Sequence, residues 1–125
     1  MRALNLHVFR IPATVENNGI TYQVKAIGKM GLFNCTDQNN GEYVDIELPE
    51  GLTTIKENAF YVTYTLHKIN FPSTLTSIGT GAFYAAGIWA MSYSPFFHQT
   101  YDLSHTQITE LDYVFGPQFA LHNII

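Results

Sequence analysis

The sequence predicts a mainly β solenoid of about four coils near 23 residues each, in which short strands are joined by turns and tight corners. Three observations predict it. "LPEGLTTIKENAF" (48–60) returns 23 residues later as "FPSTLTSIGTGAF" (71–83), and each copy is preceded by a short strand-like run. No single copy is long enough to bury its own apolar face, so copies must stack to make a core, and the two ends need caps.

The repeat is measurable. Between Pro49–Thr63 and Pro72–Ala86, seven of fifteen positions are identical, where ordinary residue frequencies give about one. Leu52/Leu75, Ile55/Ile78, Ala59/Ala82, Phe60/Phe83 and Tyr61/Tyr84 define the register, and Ile46/Ile69 and Leu48/Phe71 extend it upstream. An earlier copy is "IGKMGLFNC", with Ile27, Gly31, Leu32 and Cys35 in the places of Ile78, Ala82, Phe83 and Ala86. It is followed by "TDQNNGEY", where five extra residues and the Asn40-Gly41 turn signal predict a surface bulge. A degenerate copy resumes at "LSHTQITELDYVF", with Ile108 and Leu111 in the places of Leu75 and Ile78. The chain therefore reads as one domain: a cap over 1–21, repeats over 22–49, 50–72 and 73–95, and a degenerate repeat with a C-terminal cap over 96–125.

Each part of a copy has its own chemistry. In "TLHKINF", Ile69 and Phe71 alternate with polar neighbours, as a strand with one buried face does. Pro49 and Pro72 lack an amide donor and close that ladder, so the chain turns before "LTTI" and "LTSI" begin a second extended piece. Gly79 and Gly81 mark a tight corner, Ala59 and Ala82 sit where the coil leaves little room, and Phe60 and Phe83 stack along the convex side. These positions are scaffold. Binding specificity is then expected in the letters that differ between copies: Glu50 against Ser73, Gly51 against Thr74, and Lys56-Glu57-Asn58 against Gly79-Thr80-Gly81.

The pattern L-x-x-I-x-x-x-A-F, followed after a spacer by L-x-x-I-x-(L/F)-P, resembles the BspA-type leucine-rich repeat of bacterial surface proteins. The resemblance is close from Tyr22 to Ala86 and looser from Leu103 to Phe115, and "IPATVENNGITYQV" is similar to the segment that often precedes the first repeat in that family. Thr63 and Ala86 stand where the family often has cysteine, and residues 87–101 match poorly. The resemblance implies a leucine-rich repeat solenoid, a right-handed superhelix of short β-strands with short helical or 3-10 turns, at the cell surface or secreted and acting in protein–protein contact or adhesion to a host extracellular component.

Composition narrows the partners. The 125 residues carry a formal charge of −4, and the six Lys and Arg are scattered. No basic stripe exists to neutralise a phosphate backbone, so nucleic acid is not an expected partner. No run approaches the roughly 18 apolar residues of a membrane span, so no membrane insertion is expected. One cysteine, Cys35, excludes an internal disulfide.

Candidate chemistry is weighed residue by residue. Cys35 with His67, His98, His105 or His122 supplies the residue types of a thiol nucleophile, but Cys35 occupies a repeat slot that packing alone explains. His98, Asp102 and His105 are metal-ligand types without a compact ligand spacing. Asn34-Cys35-Thr36 satisfies the glycosylation sequon, which in a bacterial chain reads as coincidence. No enzyme activity and no cofactor are expected.

Two binding regions remain. Asp45, Glu47, His67, Lys68 and Asn70 are the polar positions of the main strands and line whatever face those strands present. Trp89, Tyr93, Phe96 and Phe97, with Tyr101, form an aromatic patch that is either a recognition surface or a plug replacing the missing leucines. The alternative function is assembly. "QFALHNII" ends on Ile124 and Ile125, which points to burial against the last coil or to self-association through the C-terminal end.

Overall fold

A computed structural model describes residues 5–31, 42–63, 65–86, 99–115 and 121–124. Two parallel ladders run through it. The first orders β1 (Asn5–Arg10), β5 (Glu42–Glu47) and β7 (Leu66–Ile69); the second orders β4 (Ala26–Ile27), β6 (Thr54–Ile55) and β8 (Ser77–Ile78). Ile27, Ile55 and Ile78 are in register across the second ladder, which aligns the three sequence copies rung for rung. Between β1 and β4 stands an antiparallel hairpin, β2 (Thr14–Asn17) with β3 (Ile20–Gln23). At the other end β9 (Gln99–Tyr101) and β10 (Leu121–Ile124) pair in parallel. Residues 1–21, expected as a cap, thus include β1, which is a rung of the first ladder.

The core follows the repeat. Leu52, Ile55, Ala59, Phe60, Leu66, Leu75, Ala82 and Phe83 are fully enclosed. Phe60 and Phe83 stack with centroids 5.0 Å apart and planes within 13°, and outside them Tyr61 and Tyr84 stack at 4.8 Å. Phe83 also meets Phe71 edge-on and stacks on Phe115, while Tyr101 closes the aromatic cluster. Parallel copies place identical rings one above another, so a single residue type per slot builds the column.

The turns use the predicted prolines. Leu52 N–H bonds to Pro49 C=O and Leu75 N–H to Pro72 C=O, and Thr106 with Leu103 repeats the bond in the degenerate copy. Gly51, at φ 97°, supplies the positive φ that a type II turn needs at its third residue.

The corners differ from expectation. None of the described residues is helical. From Asn58 to Thr63 the amides alternate: Ala59, Tyr61 and Thr63 donate three residues back within their own coil, whereas Asn58, Phe60 and Val62 donate to Thr80, Ala82 and Tyr84 of the next. A 3-10 turn needs every amide for itself, so sharing half of them with the neighbour prevents it. The alternation is bought with left-handed residues at Asn58 (φ 56°) and Val62 (φ 51°), repeated at Gly81 and Ala85.

The last copy is stitched on by His105, Gln107, Tyr113 and Val114. His105 Nε2–H donates to Phe71 C=O and Gln107 N–H to Leu75 C=O, and the carbonyls of Tyr113 and Val114 accept from Gly81 and Phe83. Leu111 does not fill the slot of Ile78. It is 40% exposed, and Val114 and Phe115 enter the core instead. The turn of this copy starts at Leu103, so Thr106 makes the turn bond that Leu75 makes, while Ile108 packs partly buried against the core.

Candidate binding face

The face presented by the first ladder is set by alternation and one irregularity. In β5, Val44 and Ile46 point into the core and leave Asp45 and Glu47 outside. In β7 the apolar residues are Leu66 and Ile69, three apart, which a regular strand cannot place on one side. The register slips between Val44↔Leu66 and Asp45↔Lys68, so His67 is the extra residue of a bulge. That bulge brings His67 Nδ1 to 2.6 Å from Asp45 Oδ1, with both side chains largely enclosed.

Of the five residues, Asp45 and Glu47 lie on β5, His67 and Lys68 on β7 and Asn70 just beyond it, and three polar contacts tie four of them to the scaffold. Asp45 holds His67. Glu47 Oε2 accepts from Arg10 Nε at 2.7 Å across β1 and β5. Asn70 clamps the preceding coil: its Oδ1 accepts from Leu48 N–H at 2.8 Å and its Nδ2 donates to Leu48 C=O at 3.0 Å. Lys68 is exposed and makes no ion pair among the described residues. Val8, opposite Asp45 on β1, extends the row as an exposed apolar residue.

Arg10 and Val8 escaped the sequence reading. The signal was present, because "HVFRI" (7–11) carries the same alternation as "VDIEL" (44–48), without the proline that marked the later strands.

The letters that differ between copies have another use. Glu50 accepts from the N–H and hydroxyl of Ser73, and Thr74 Oγ1 accepts from Gly51 N–H while donating to Leu52 C=O. A Cβ on Gly79 would lie 2.5 Å from Glu57 N. Unlike residues meet across the coil boundary, so the differences expected to carry specificity fit one coil to the next.

Other candidates disperse. Ser104's hydroxyl (2.6 Å) and backbone N–H (3.0 Å) both bond Asp102 Oδ1 and hold its carboxyl below the usual carboxylate range. Asp102 thus serves a local turn, while His105, on Phe71 C=O, ties its coil to the one before. Cys35, His98, Trp89, Tyr93, Phe96 and Phe97 lie outside the described residues. No helix among the described residues is long and apolar enough to cross a membrane.

Comparison with known proteins places this geometry. The model of the BspA type leucine rich repeat region (6 copies) matches residues 33–121, well over half of the chain. The protein belongs to the BspA-type leucine-rich repeat family. As a member of that family, it matches in fold a leucine rich cell surface protein from Faecalibacterium prausnitzii, known from a crystal structure, with a TM-score of 0.61 at 23% identity. The match covers 96% of this BspA-type chain and 35% of the Faecalibacterium one, so the chain spans about a third of that protein's length. No curated protein matches the sequence.

Proposed function

We propose that this BspA-type domain is a non-catalytic binding module displayed at the cell surface or secreted, and that the face of β1, β5 and β7 contacts a protein partner, such as a host extracellular component. The observation that carries the reading is the division of labour on that face. Asp45, Glu47 and Asn70 are engaged by His67, Arg10 and Leu48, the Asp45 and Asn70 contacts being part-buried, while Lys68 and Val8 stay exposed beside them. Fixed polar groups around an available cation make a preorganised surface, which lowers the ordering cost of association. Right-handed winding agrees with this arrangement, since crossovers between parallel strands of one sheet nearly always take that hand.

The test separates binding from folding. Wild-type protein and Lys68→Glu are compared for binding to a panel of immobilised extracellular-matrix and cell-surface proteins, with denaturant unfolding alongside. The expected result is a ligand held at least tenfold more weakly by the variant, about 1.4 kcal/mol, at unchanged unfolding midpoint. Equal binding of every captured ligand by both proteins would place the contact elsewhere.

A further inference from the structure

We propose that the face of β1, β5 and β7 takes a protein segment that presents a carboxylate to Lys68 and an apolar side chain to Val8, and that His67 is the positioning residue that keeps Lys68 available. This rests on the reading of that face as the binding surface and adds the chemistry of the partner. Its ground is a row across the ladder. Val8 is in register with Asp45, and Asp45 with Lys68, so the three share one row of the outward face. With strands about 4.8 Å apart, Val8 and Lys68 stand about 10 Å from each other with Asp45 between them.

Opposite charges side by side on one face of a sheet attract each other. Asp45 and Lys68 are such a pair, yet among the described residues no ion pair joins them. The bulge explains it. His67, the extra residue, draws Asp45 Oδ1 to 2.6 Å from its Nδ1, and the Asp45 side chain is left 25% exposed. On its other side Asp45 faces Val8, which carries no charge. In the next row Arg10 and Glu47 answer each other. Of the charged side chains in these two rows, Lys68 is the one without a partner at ion-pair distance among the described residues.

Charge complementarity selects the occupant. On a chain of net charge −4, an unpaired ammonium is a point at which an anion is attracted rather than repelled. Asp45 and Glu47 stand close by, and they oppose a dianion such as a phosphate monoester more strongly than a single carboxylate. Val8, 51% exposed, gives the row an apolar end, with no hydroxyl or amide to meet a sugar. An Asp or Glu two residues from a Leu or Val on an extended chain spans about 7 Å, and the flexible lysine stem covers the rest.

Two measurements test it. The first needs no ligand: competitive acetylation of the lysines, read by mass spectrometry, with the exposed Lys25 as internal reference. In His67→Ala the Asp45 carboxyl is released to Lys68, and acetylation of Lys68 relative to Lys25 is expected to fall about twofold or more, as for an exposed ion pair. His67→Gln, which keeps an N–H donor, and the double variant His67→Ala/Asp45→Asn are expected to label as wild type does. Denaturant unfolding confirms that each variant folds. Unchanged labelling of Lys68 in His67→Ala overturns the positioning role.

The second follows the Val8 methyl and Lys68 side-chain resonances by NMR while a peptide bearing Glu two residues from Leu is added, and then its Gln counterpart. The Glu peptide is expected to shift both sets and to bind about fivefold more tightly than the Gln peptide, with His67→Ala narrowing the difference. Equal binding of the two peptides overturns the carboxylate assignment and leaves the Lys68→Glu comparison standing, so the two proposals fail separately. A Glu peptide that shifts neither set up to millimolar concentration overturns the proposal. So does sialyllactose shifting them in its place, which would mark a glycan site, or dilution of the wild type alone shifting them, which would mark a contact with a second copy.

Discussion

Asn70 and Lys68 sit two residues apart on the same exposed run and have opposite meanings. Asn70 satisfies both backbone groups of Leu48, the residue at which the preceding coil leaves its strand, whereas Lys68 holds nothing that an ion pair would reveal. Asn70→Ala strands a part-buried donor and acceptor together and is expected to cost about 2 kcal/mol in denaturant unfolding. Lys68→Ala is expected to stay within about 0.5 kcal/mol. Equal effects would mean that the Asn70 clamp is replaced by water at no cost. Sequence polarity alone could not separate the two, because an amide that bonds a neighbouring coil and an ammonium in solvent look alike until the coils are stacked. His67 carries the same lesson. Its place beside Asp45 depends on a bulge, and the only sequence trace of that bulge is the three-residue gap between Leu66 and Ile69.

The corner is the element in which unlike copies interlock. Gly79 lies against the backbone of Lys56 and Glu57, so replacing Gly79-Thr80-Gly81 by Lys-Glu-Asn puts a side chain where backbone already stands. That exchange is expected to cost about 3 kcal/mol or more, in the range of core overpacking and beyond. The reverse exchange, Gly-Thr-Gly into 56–58, removes side chains from an exposed or half-buried corner and is expected to cost about 1 kcal/mol, chiefly backbone entropy. Paired chemical denaturation curves check the asymmetry, and equal losses would mean that the corner relaxes around an added Cβ. The strands and turns of these copies were legible because Pro49, Pro72 and the Leu-Thr-x-Ile runs force them locally. The hairpin was not read, although Asn18-Gly19 in "VENNGI" carries the left-handed pair of a two-residue turn, φ 52° and 77°. It breaks the 23-residue period, and period dominated the reading. Corner geometry was hidden for a different reason: it depends on which coil comes next.

Across the whole molecule, stability is a property of neighbours. Phe83 touches Phe60 in one coil, Phe71 in its own and Phe115 in the last, so the aromatic column spans boundaries that the backbone crosses only at turns. In such stacks, stability is approximately a sum over coils and interfaces, and interfaces can open before coils unwind. The alternating amides of the second corner distinguish those two events. Those of Asn58, Phe60 and Val62 are protected by the coil that follows, and those of Ala59, Tyr61 and Thr63 by their own. In native-state hydrogen exchange the first trio is expected to exchange at least as fast as the second, and faster by about tenfold for each 1.4 kcal/mol by which separation is easier than unwinding. A first trio that exchanged more slowly than the second would contradict that order of events. Six adjacent amides thus act as two clocks in one turn of chain, one timing the parting of coils and the other the loss of the coil itself.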